Sequence, residues 1–233
     1  MAEKTIAVFT PTYNRAYIVS RLYESLLAQT DQDFCWIVVD DGSTDDTETL
    51  IRGFAAEGKL EITYIKQANG GKQRAHNTGV AACGNELFFC VDSDDTLVPT
   101  AIEDVLALWQ TRRADESIAG IIAMRGRSAS EPMGTWFPEG LDTTTVWDLY
   151  HKLHHRGDTA LIYRTDILRR FPYVVEPGEK FIGEGYVYHQ IDQEYRLAVL
   201  HKIVWICEYL SDGYTKSVRK LTRENPVSYM RLK

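Results

Sequence analysis

Four short runs, each followed by a segment with helical spacing, constrain this chain more than any other feature of its sequence. The runs are TIAVFTP, FCWIVVD, LEITYIK and ELFFCV, and most are apolar throughout. Apolar strands that alternate with helices are typical of a parallel sheet that is covered on both faces. The pattern predicts an α/β fold with a Rossmann-like, mainly parallel sheet flanked by helices. Its functional loops should lie at the carboxyl ends of the strands.

The length and the later part of the chain favour a single domain. The chain has 233 residues, 44% of them hydrophobic, which is enough for one sizeable core. After residue 110 the rhythm changes: AGIIAMRG and KIVWICEYL predict strands, and TTTVWDLYHKL predicts a short helix. No repeat or linker separates the two parts. We therefore expect one domain over residues 1–233, with a first half at 1–110 and a second half at 111–233 that ends in a tail.

The charge and the cysteines exclude several classes of protein. A net charge of -7 and a pI near 5.4 argue against a nucleic-acid-binding surface. The four cysteines form no CxxC pair, so we interpret them as reduced core residues in a cytoplasmic protein. No stretch resembles a signal peptide or reaches the length of a membrane span.

Two of the predicted loops carry groups that suit a phosphorylated ligand. Asp92, Asp94 and Asp95 follow FFCV, and a divalent cation such as Mn²⁺ or Mg²⁺ would remove their mutual repulsion. The alternative is that they cap the next helix. Lys72 and Arg74 follow two glycines in GGKQRAHN, an arrangement that suits a diphosphate. Lone cations of this kind are more often solvated.

Two further loops limit the kind of nucleotide site. Asp41 lies at the end of the second strand, where its carboxylate could accept a hydrogen bond from a nucleobase; the alternative is ordinary turn chemistry before Gly42. The first strand leads into PTYNR and not into GxGxxG, which argues against a nicotinamide-dependent enzyme. It also argues against a sugar-phosphate nucleotidyltransferase, which needs a Gly-rich basic loop there.

Taken together, TPTYNR, VVDDGSTDDT, GGKQRAHNTG and FFCVDSDD, in this order and spacing, resemble the family 2 glycosyltransferases of the GT-A fold. The resemblance is close over residues 5–110, and FIGEGYVYHQI and EYLSDGYTKSV are similar to a bacterial subgroup that builds surface polysaccharides. It implies an inverting enzyme that moves a sugar from a nucleotide diphosphate donor to a hydroxyl acceptor, which would be a glycan or a lipid-linked glycan. The first half would bind the donor and the second half the acceptor.

The resemblance also implies roles for individual residues. Asp41 would contact the base, expected to be uracil, and Asp94 would coordinate the Mn²⁺ or Mg²⁺ ion. The nucleotide pocket would be lined by Thr10, Pro11, Tyr13 and Arg15. The ribose and diphosphate region would be contacted by Lys72, Arg74, Asn77, Asp92 and Ser93. The resemblance gives no separate role to Asp95, the third carboxylate of the motif.

Inversion needs a general base that takes the proton from the acceptor hydroxyl. In the family this base is a carboxylate downstream of the DxD motif, and the matching stretch here is GEGYVYHQID. We assign the base to Glu184. Gly185 stands where many relatives have Asp, which keeps open a second interpretation, a catalytically inactive scaffold that binds a nucleotide sugar.

Two features of the second half remain open at this point. The basic tail SVRKLTRENPVSYMRLK predicts either peripheral association with the inner face of an anionic membrane or a solvated terminus. Several side chains are candidates for acceptor contacts, although core packing is the commoner role of aromatic residues. They are Trp136, Phe137, Trp147, Arg156, Asp158, Tyr186 and Tyr188. The transferred sugar, the linkage and the oligomeric state are not specified.

Overall fold

The computed structural model describes residues 4–207 and 220–231. In this part of the chain, nine strands form one sheet. They are β1 (Ile6–Thr12), β2 (Phe34–Asp40), β3 (Ile62–Lys66), β4 (Leu87–Cys90), β5 (Thr96–Leu97), β6 (Ile118–Gly126), β7 (Thr143–Thr144), β8 (Thr159–Arg164) and β9 (Arg196–Ile206). The helices are α1 (Val19–Leu27), α2 (Thr47–Glu57), α3 (Lys72–Ala82), α4 (Ala101–Arg112), α5 (Thr165–Arg170), α6 (Gly185–Ile191) and α7 (Pro226–Met230). A π-helical turn spans Asp148–Lys152.

The sheet is parallel in its first half and mixed in its second. Its strand order is β3-β2-β1-β4-β8-β6-β9-β5, and β7 also pairs with β9. The neighbours β3, β2, β1 and β4 are all parallel, which confirms the prediction from the four runs. Strand β8 then lies antiparallel to both β4 and β6. The two halves of the chain therefore share one continuous sheet.

The burial of the strands explains why the first half is parallel. All seven residues of β2 are buried, and β1 and β4 are almost as enclosed. A strand that is covered on both faces must be apolar throughout, because no alternate residue reaches water. Strand β3 lies at the edge of the sheet and is partly exposed along its length, in agreement with its alternating sequence.

The second half differs from its predicted elements at one point. Strands β6 and β9 lie where AGIIAMRG and KIVWICEYL predicted them, and the last residues of the latter lie outside the described part of the chain. TTTVWDLYHKL was expected to be a helix, but it forms β7 followed by the π-helical turn. Thr143 and Thr144 pair with β9, and β-branched residues fit a strand better than a helix.

Two further sequence predictions concern the cysteines and the membrane. All four cysteines are free, and three of them are buried, as expected for reduced core residues. Among the described residues, no helix combines the length and the apolar character that crossing a membrane requires.

Candidate active site

The carboxyl ends of β1, β2 and β4 lie side by side at one edge of the sheet, because these strands are parallel neighbours. Three charged side chains from distant parts of the sequence meet there: Lys72 begins α3, Asp92 follows β4, and Glu184 precedes α6. The Lys72 Nζ lies 2.7 Å from Asp92 Oδ1 and 2.8 Å from Glu184 Oε1. One ammonium group thus joins the DxD motif to the carboxylate that was assigned as the base.

A cavity of about 420 Å³ opens beside these three side chains. A volume of this size lies within the range of small-molecule sites. The second half of the chain supplies much of the remaining wall, including Arg125, Tyr150, Asp158, Tyr188 and Trp205. The sequence had marked Asp158 and Tyr188 as acceptor contacts. The residues that the sequence assigned to the two halves therefore enclose a common space.

The charges in the cavity keep one another ionised. Burial alone would lower the pKa of the Lys72 ammonium, but Asp92 and Glu184 outweigh it and hold that pKa well above its usual range. Lys72 in turn lowers the pKa of Glu184. Burial opposes ionisation of Asp92, but Lys72 and Arg125 together still lower its pKa. At neutral pH the cluster contains two carboxylates and two cations.

The other two carboxylates of the DxD motif have different surroundings. Burial, followed by repulsion from Asp92, raises the pKa of Asp94, and its nearest cationic atom in the structure is the Arg15 Nη2 at 4.0 Å. Asp95 is buried and accepts a 2.8 Å hydrogen bond from the Trp205 indole N–H, and burial raises its pKa to about 7. Asp95 therefore supports Trp205, whereas Asp94 has no such side-chain hydrogen bond among the residues that the structure describes.

Asp94 fits a divalent cation better than its neighbours do. Within residues 4–207 and 220–231, no three His, Cys, Asp or Glu side chains converge in the way that an all-protein metal site needs. Mg²⁺ and similar ions, however, are often held by one or two carboxylates together with waters and substrate phosphates. A carboxylate whose pKa is raised by burial and by a neighbouring anion is one that a bound cation would stabilise. The donor set suits an ion that binds together with a phosphorylated ligand.

The residues predicted to line the nucleotide pocket at the end of β1 and in the PTYNR loop differ in exposure. Tyr13 is 49% exposed and Pro11 is partly buried, whereas Thr10 is fully buried and its hydroxyl accepts a hydrogen bond from the Trp36 indole. Thr10 therefore supports the sheet from within, and its contact with the nucleotide stays a prediction. The loop itself is fixed by a 2.8 Å bond from the Asn14 N–H to the Ser43 hydroxyl. Ser93 is also buried.

Asp41 is committed to contacts within the chain. Its Oδ1 accepts hydrogen bonds from the Gln67 side chain and the Gly70 N–H, and its Oδ2 accepts from the Asn69 side chain and the Gly71 N–H. A carboxylate has about four lone-pair positions, so these four donors use its accepting capacity. A nucleobase N–H would have to displace one of them. The base contact of Asp41 stays a prediction, and the structure adds a structural role for this carboxylate.

Arg74 and Asn77 likewise contact the chain in place of a diphosphate. The Arg74 guanidinium donates to the carbonyl oxygens of Gly70, Val175, Glu176 and Glu179. The Asn77 side chain donates to the Tyr173 carbonyl and accepts from its N–H. Both side chains fix the segment that precedes Glu184, and their contacts with the ribose and diphosphate stay predictions.

Gly71 permits the close approach of that segment. Its φ is +94°, and a Cβ there would lie 1.8 Å from the Lys180 carbonyl oxygen. The described part of the tail packs on the other side: Asn225 Oδ1 accepts from the N–H groups of Lys180 and Phe181. Truncation after residue 218, an obvious test of membrane binding, would therefore also remove support from the segment that leads to Glu184. EYLSDGYTKSV lies outside the described residues.

Sequence reasoning missed Arg125 and Trp205 as cavity residues. Arg125 is a charged residue near the end of the otherwise apolar run AGIIAMRG, and this irregularity was the available signal. The position of Trp205 opposite it depends on the pairing of β6 with β9, which connects positions far apart in the sequence. Two histidines that are four residues apart, His151 and His155, have separate surroundings: His155 is buried against Phe137, and His151 is exposed and stacks on Trp147.

The mixed sheet and its edge site define a protein of the GT-A fold, which is shared with solved glycosyltransferases. One match is the structure of Staphylococcus aureus TarS 1–349 in complex with UDP-GlcNAc, with a TM-score of 0.69 and 20% identity over 96% of this chain and 66% of that one. Another is the mannosyltransferase PcManGT from Pyrobaculum calidifontis in complex with GDP-Man and Mn²⁺, with a TM-score of 0.65 and 21% identity over 98% and 63%.

Residues 7–171 match the sequence model of glycosyl transferase family 2, and the chain belongs to that family. Curated relatives agree. The uncharacterized glycosyltransferase alr2836 of Nostoc sp. is 37% identical over 106 residues, which cover 46% of this chain and 33% of the relative. Poly(ribitol-phosphate) beta-N-acetylglucosaminyltransferase TarS of Staphylococcus aureus is 26% identical over 165 residues, 70% of this chain and 28% of the relative. The match thus spans a third or less of these two relatives.

Proposed function

We propose that this chain is a metal-dependent, inverting glycosyltransferase that moves a sugar from a nucleotide diphosphate donor, expected to be a UDP-sugar, to a hydroxyl acceptor. The observation that carries the proposal is the contact of Lys72 with both Asp92 and Glu184 in the wall of a ligand-sized cavity. Family membership and the similar structures in complex with UDP-GlcNAc or GDP-Man support this donor class. Residues 1–110 would supply most donor contacts and residues 111–233 the acceptor contacts.

The diphosphate would lie between Asp94 and Lys72. Mn²⁺ or Mg²⁺ held by Asp94 would supply positive charge beside the leaving diphosphate. Arg15, whose Nη2 lies 4.0 Å from Asp94, and Lys72 would add positive charge from the protein. Tyr13 and Pro11 would cover the nucleotide.

Glu184 would act as the general base. Its pKa is lowered, first by Lys72, so it is ionised at neutral pH and able to accept the proton of an acceptor hydroxyl. The deprotonated oxygen would attack the anomeric carbon as the bond to the diphosphate breaks, on the opposite face of the sugar. This step inverts the configuration at that carbon.

The proposal extends to the acceptor and to the location of the protein in the cell. A glycan or lipid-linked glycan of a bacterial surface polysaccharide fits the resemblance of the sequence. The free cysteines fit a reducing cytoplasm. A contact of the tail with the inner face of the membrane would involve basic side chains, although Arg231 already pairs with Glu176.

Binding of nucleoside diphosphates, with and without Mn²⁺, tests the donor and the metal together. We expect UDP with Mn²⁺ to raise the melting temperature; at one hundred times Kd the stabilisation is about 2.7 kcal/mol, or roughly 5–10 °C for a chain of this size. Asp94→Asn should lose the part of the shift that needs metal. The control is Asp46→Asn, which removes an exposed carboxylate that makes no side-chain capping bond. Absence of any shift with every nucleotide would overturn the proposal.

A further inference from the structure

The Arg125 guanidinium lines the cavity but makes none of the hydrogen bonds that an enclosed arginine normally makes. Its Nε is buried without a partner, and its nearest carboxylate oxygen, Asp92 Oδ2, is 4.0 Å away from Nη1. That distance is too long for a hydrogen bond. Among the residues that the structure describes, none accepts a hydrogen bond from this side chain. The side chain is only 17% exposed, so bulk water has limited access to it.

Its position is nevertheless fixed. The guanidinium carbon lies 3.5 Å from the centre of the Trp205 ring, in a cation–π contact. Trp205 is itself held by the hydrogen bond from its indole N–H to Asp95. The indole ring therefore orients the guanidinium of Arg125 and leaves the N–H groups of that guanidinium available for a ligand.

The charge of Arg125 is balanced, although its donors are not satisfied. The cluster consists of the carboxylates of Asp92 and Glu184 and the cations of Lys72 and Arg125. Asp158, the other charged residue in the wall of the cavity, has an interaction of its own. The metal ion proposed at Asp94 would offset the diphosphate, whereas a sugar that carried a further negative charge beside Arg125 would upset this balance. A ligand that supplies uncharged oxygen atoms would satisfy the donors and leave the balance intact.

We propose that Arg125 is a specificity-determining residue that binds an uncharged oxygen of the transferred sugar, a hydroxyl or an amide carbonyl, and so selects neutral sugars over uronic acids. This inference rests on the proposed function, because it places the donor sugar between Asp94, beside the diphosphate, and Glu184, the base. Arg125 lies in residues 111–233, so the inference adds a contact with the donor from the half of the chain that was assigned to the acceptor. The fork of N–H groups that a guanidinium offers is lost in lysine, even though the charge is kept.

The test compares the dissociation constant of UDP with those of UDP-glucose, UDP-N-acetylglucosamine and UDP-glucuronic acid, by calorimetry with Mn²⁺. GDP and GDP-mannose form a second series. In the wild type we expect a neutral sugar nucleotide to bind more tightly than UDP-glucuronic acid. In Arg125→Lys, the ratio of the constant for that sugar nucleotide to the constant for its nucleoside diphosphate should rise by about tenfold or more, since a hydrogen bond to a charged group is lost. Glucose and N-acetylglucosamine distinguish a hydroxyl from an amide contact.

Two variants guard against trivial explanations. Arg127→Lys changes an exposed arginine that pairs with Glu131 and should leave every ratio unchanged. Arg125→Gln keeps amide donors without the charge and replaces Arg125→Lys if that variant does not fold. If Arg125 only balances charge, Arg125→Lys will leave the ratios unaltered, and the inference is wrong. Tightest binding of UDP-glucuronic acid, lost in Arg125→Lys, would also overturn it. If no nucleoside diphosphate binds at all, the proposed function fails and the inference falls with it.

Discussion

The network around Asp41 and the cluster around Lys72 lie at the same edge of the sheet, yet they differ in what they leave unsatisfied. The Asp41 carboxylate accepts four hydrogen bonds from its own chain. The Lys72 cluster is charge-balanced, but it faces a cavity and includes an arginine that makes no hydrogen bond within the described part of the chain. Buried polar groups in stable proteins are nearly all satisfied. Groups left unsatisfied beside a cavity therefore mark where a ligand is expected, whereas the presence of charge alone does not.

Glu184→Gln tests the open cluster and should have the largest effect. If Glu184 is the base, the rate of UDP release in the presence of an acceptor glycan should fall by about 10²–10⁴-fold. The melting temperature should change little, because the side chain is 44% exposed and Lys72 keeps its contact with Asp92. The rate is best measured at saturating donor, so that weaker binding is not mistaken for slower chemistry.

Glu116→Gln is the matched control, since Glu116 is an exposed carboxylate in the turn before β6. An unchanged rate in Glu184→Gln would remove Glu184 as the base. A wild-type protein that binds UDP but releases none from any sugar nucleotide would instead support the inactive scaffold. Gly185 does not decide between these outcomes. Apart from its chain neighbours, a Cβ at this position would lie nearest to the His189 ring, at 3.1 Å.

Asp41→Ala tests the closed network. Removing the carboxylate leaves four donors without an acceptor, two of them backbone N–H groups, so the free energy of unfolding should fall by about 3 kcal/mol. For a chain of this size the melting temperature should then drop by roughly 10 °C. The measurement is thermal unfolding without ligand, with Asp46→Ala as the exposed control. A normal melting temperature together with weaker UDP binding would instead support the nucleobase contact that the sequence predicts.

The first half of the fold was predictable because its determinants are local. Runs that are buried on both faces, such as β2, can only be apolar, and their order along the chain predicts parallel neighbours. The motif carboxylates at the strand ends followed from the same pattern. The partners of Asp41, Arg74 and Arg125 did not, because they depend on contacts between segments far apart in sequence. Arg74, for example, reaches the Glu179 carbonyl, and nothing near Arg74 in the sequence specifies that contact.

His76 gives the smallest expected effect and tests how firmly the interior beside the site is closed. Its ring is buried and packs edge-on against Phe9, Phe88 and Tyr173, and burial lowers its pKa to about 4. The unfolded chain, with a histidine pKa near 6.5, therefore binds more protons than the folded chain between these two values. Stability should fall as the pH drops through this range, by about 2 kcal/mol between pH 7 and pH 5 from this residue alone.

His76→Phe keeps an aromatic ring at this position and removes the titration. Burial also lowers the pKa of His155 and of His189, so the informative quantity is the difference between the variant and the wild type in urea unfolding at pH 7 and pH 5. We expect the variant to lose less stability than the wild type on acidification. Equal losses would mean that His76 becomes protonated without cost. The interior around His76 would then admit water, and it would resemble the Lys72 cluster, which faces the cavity, more than the closed network around Asp41.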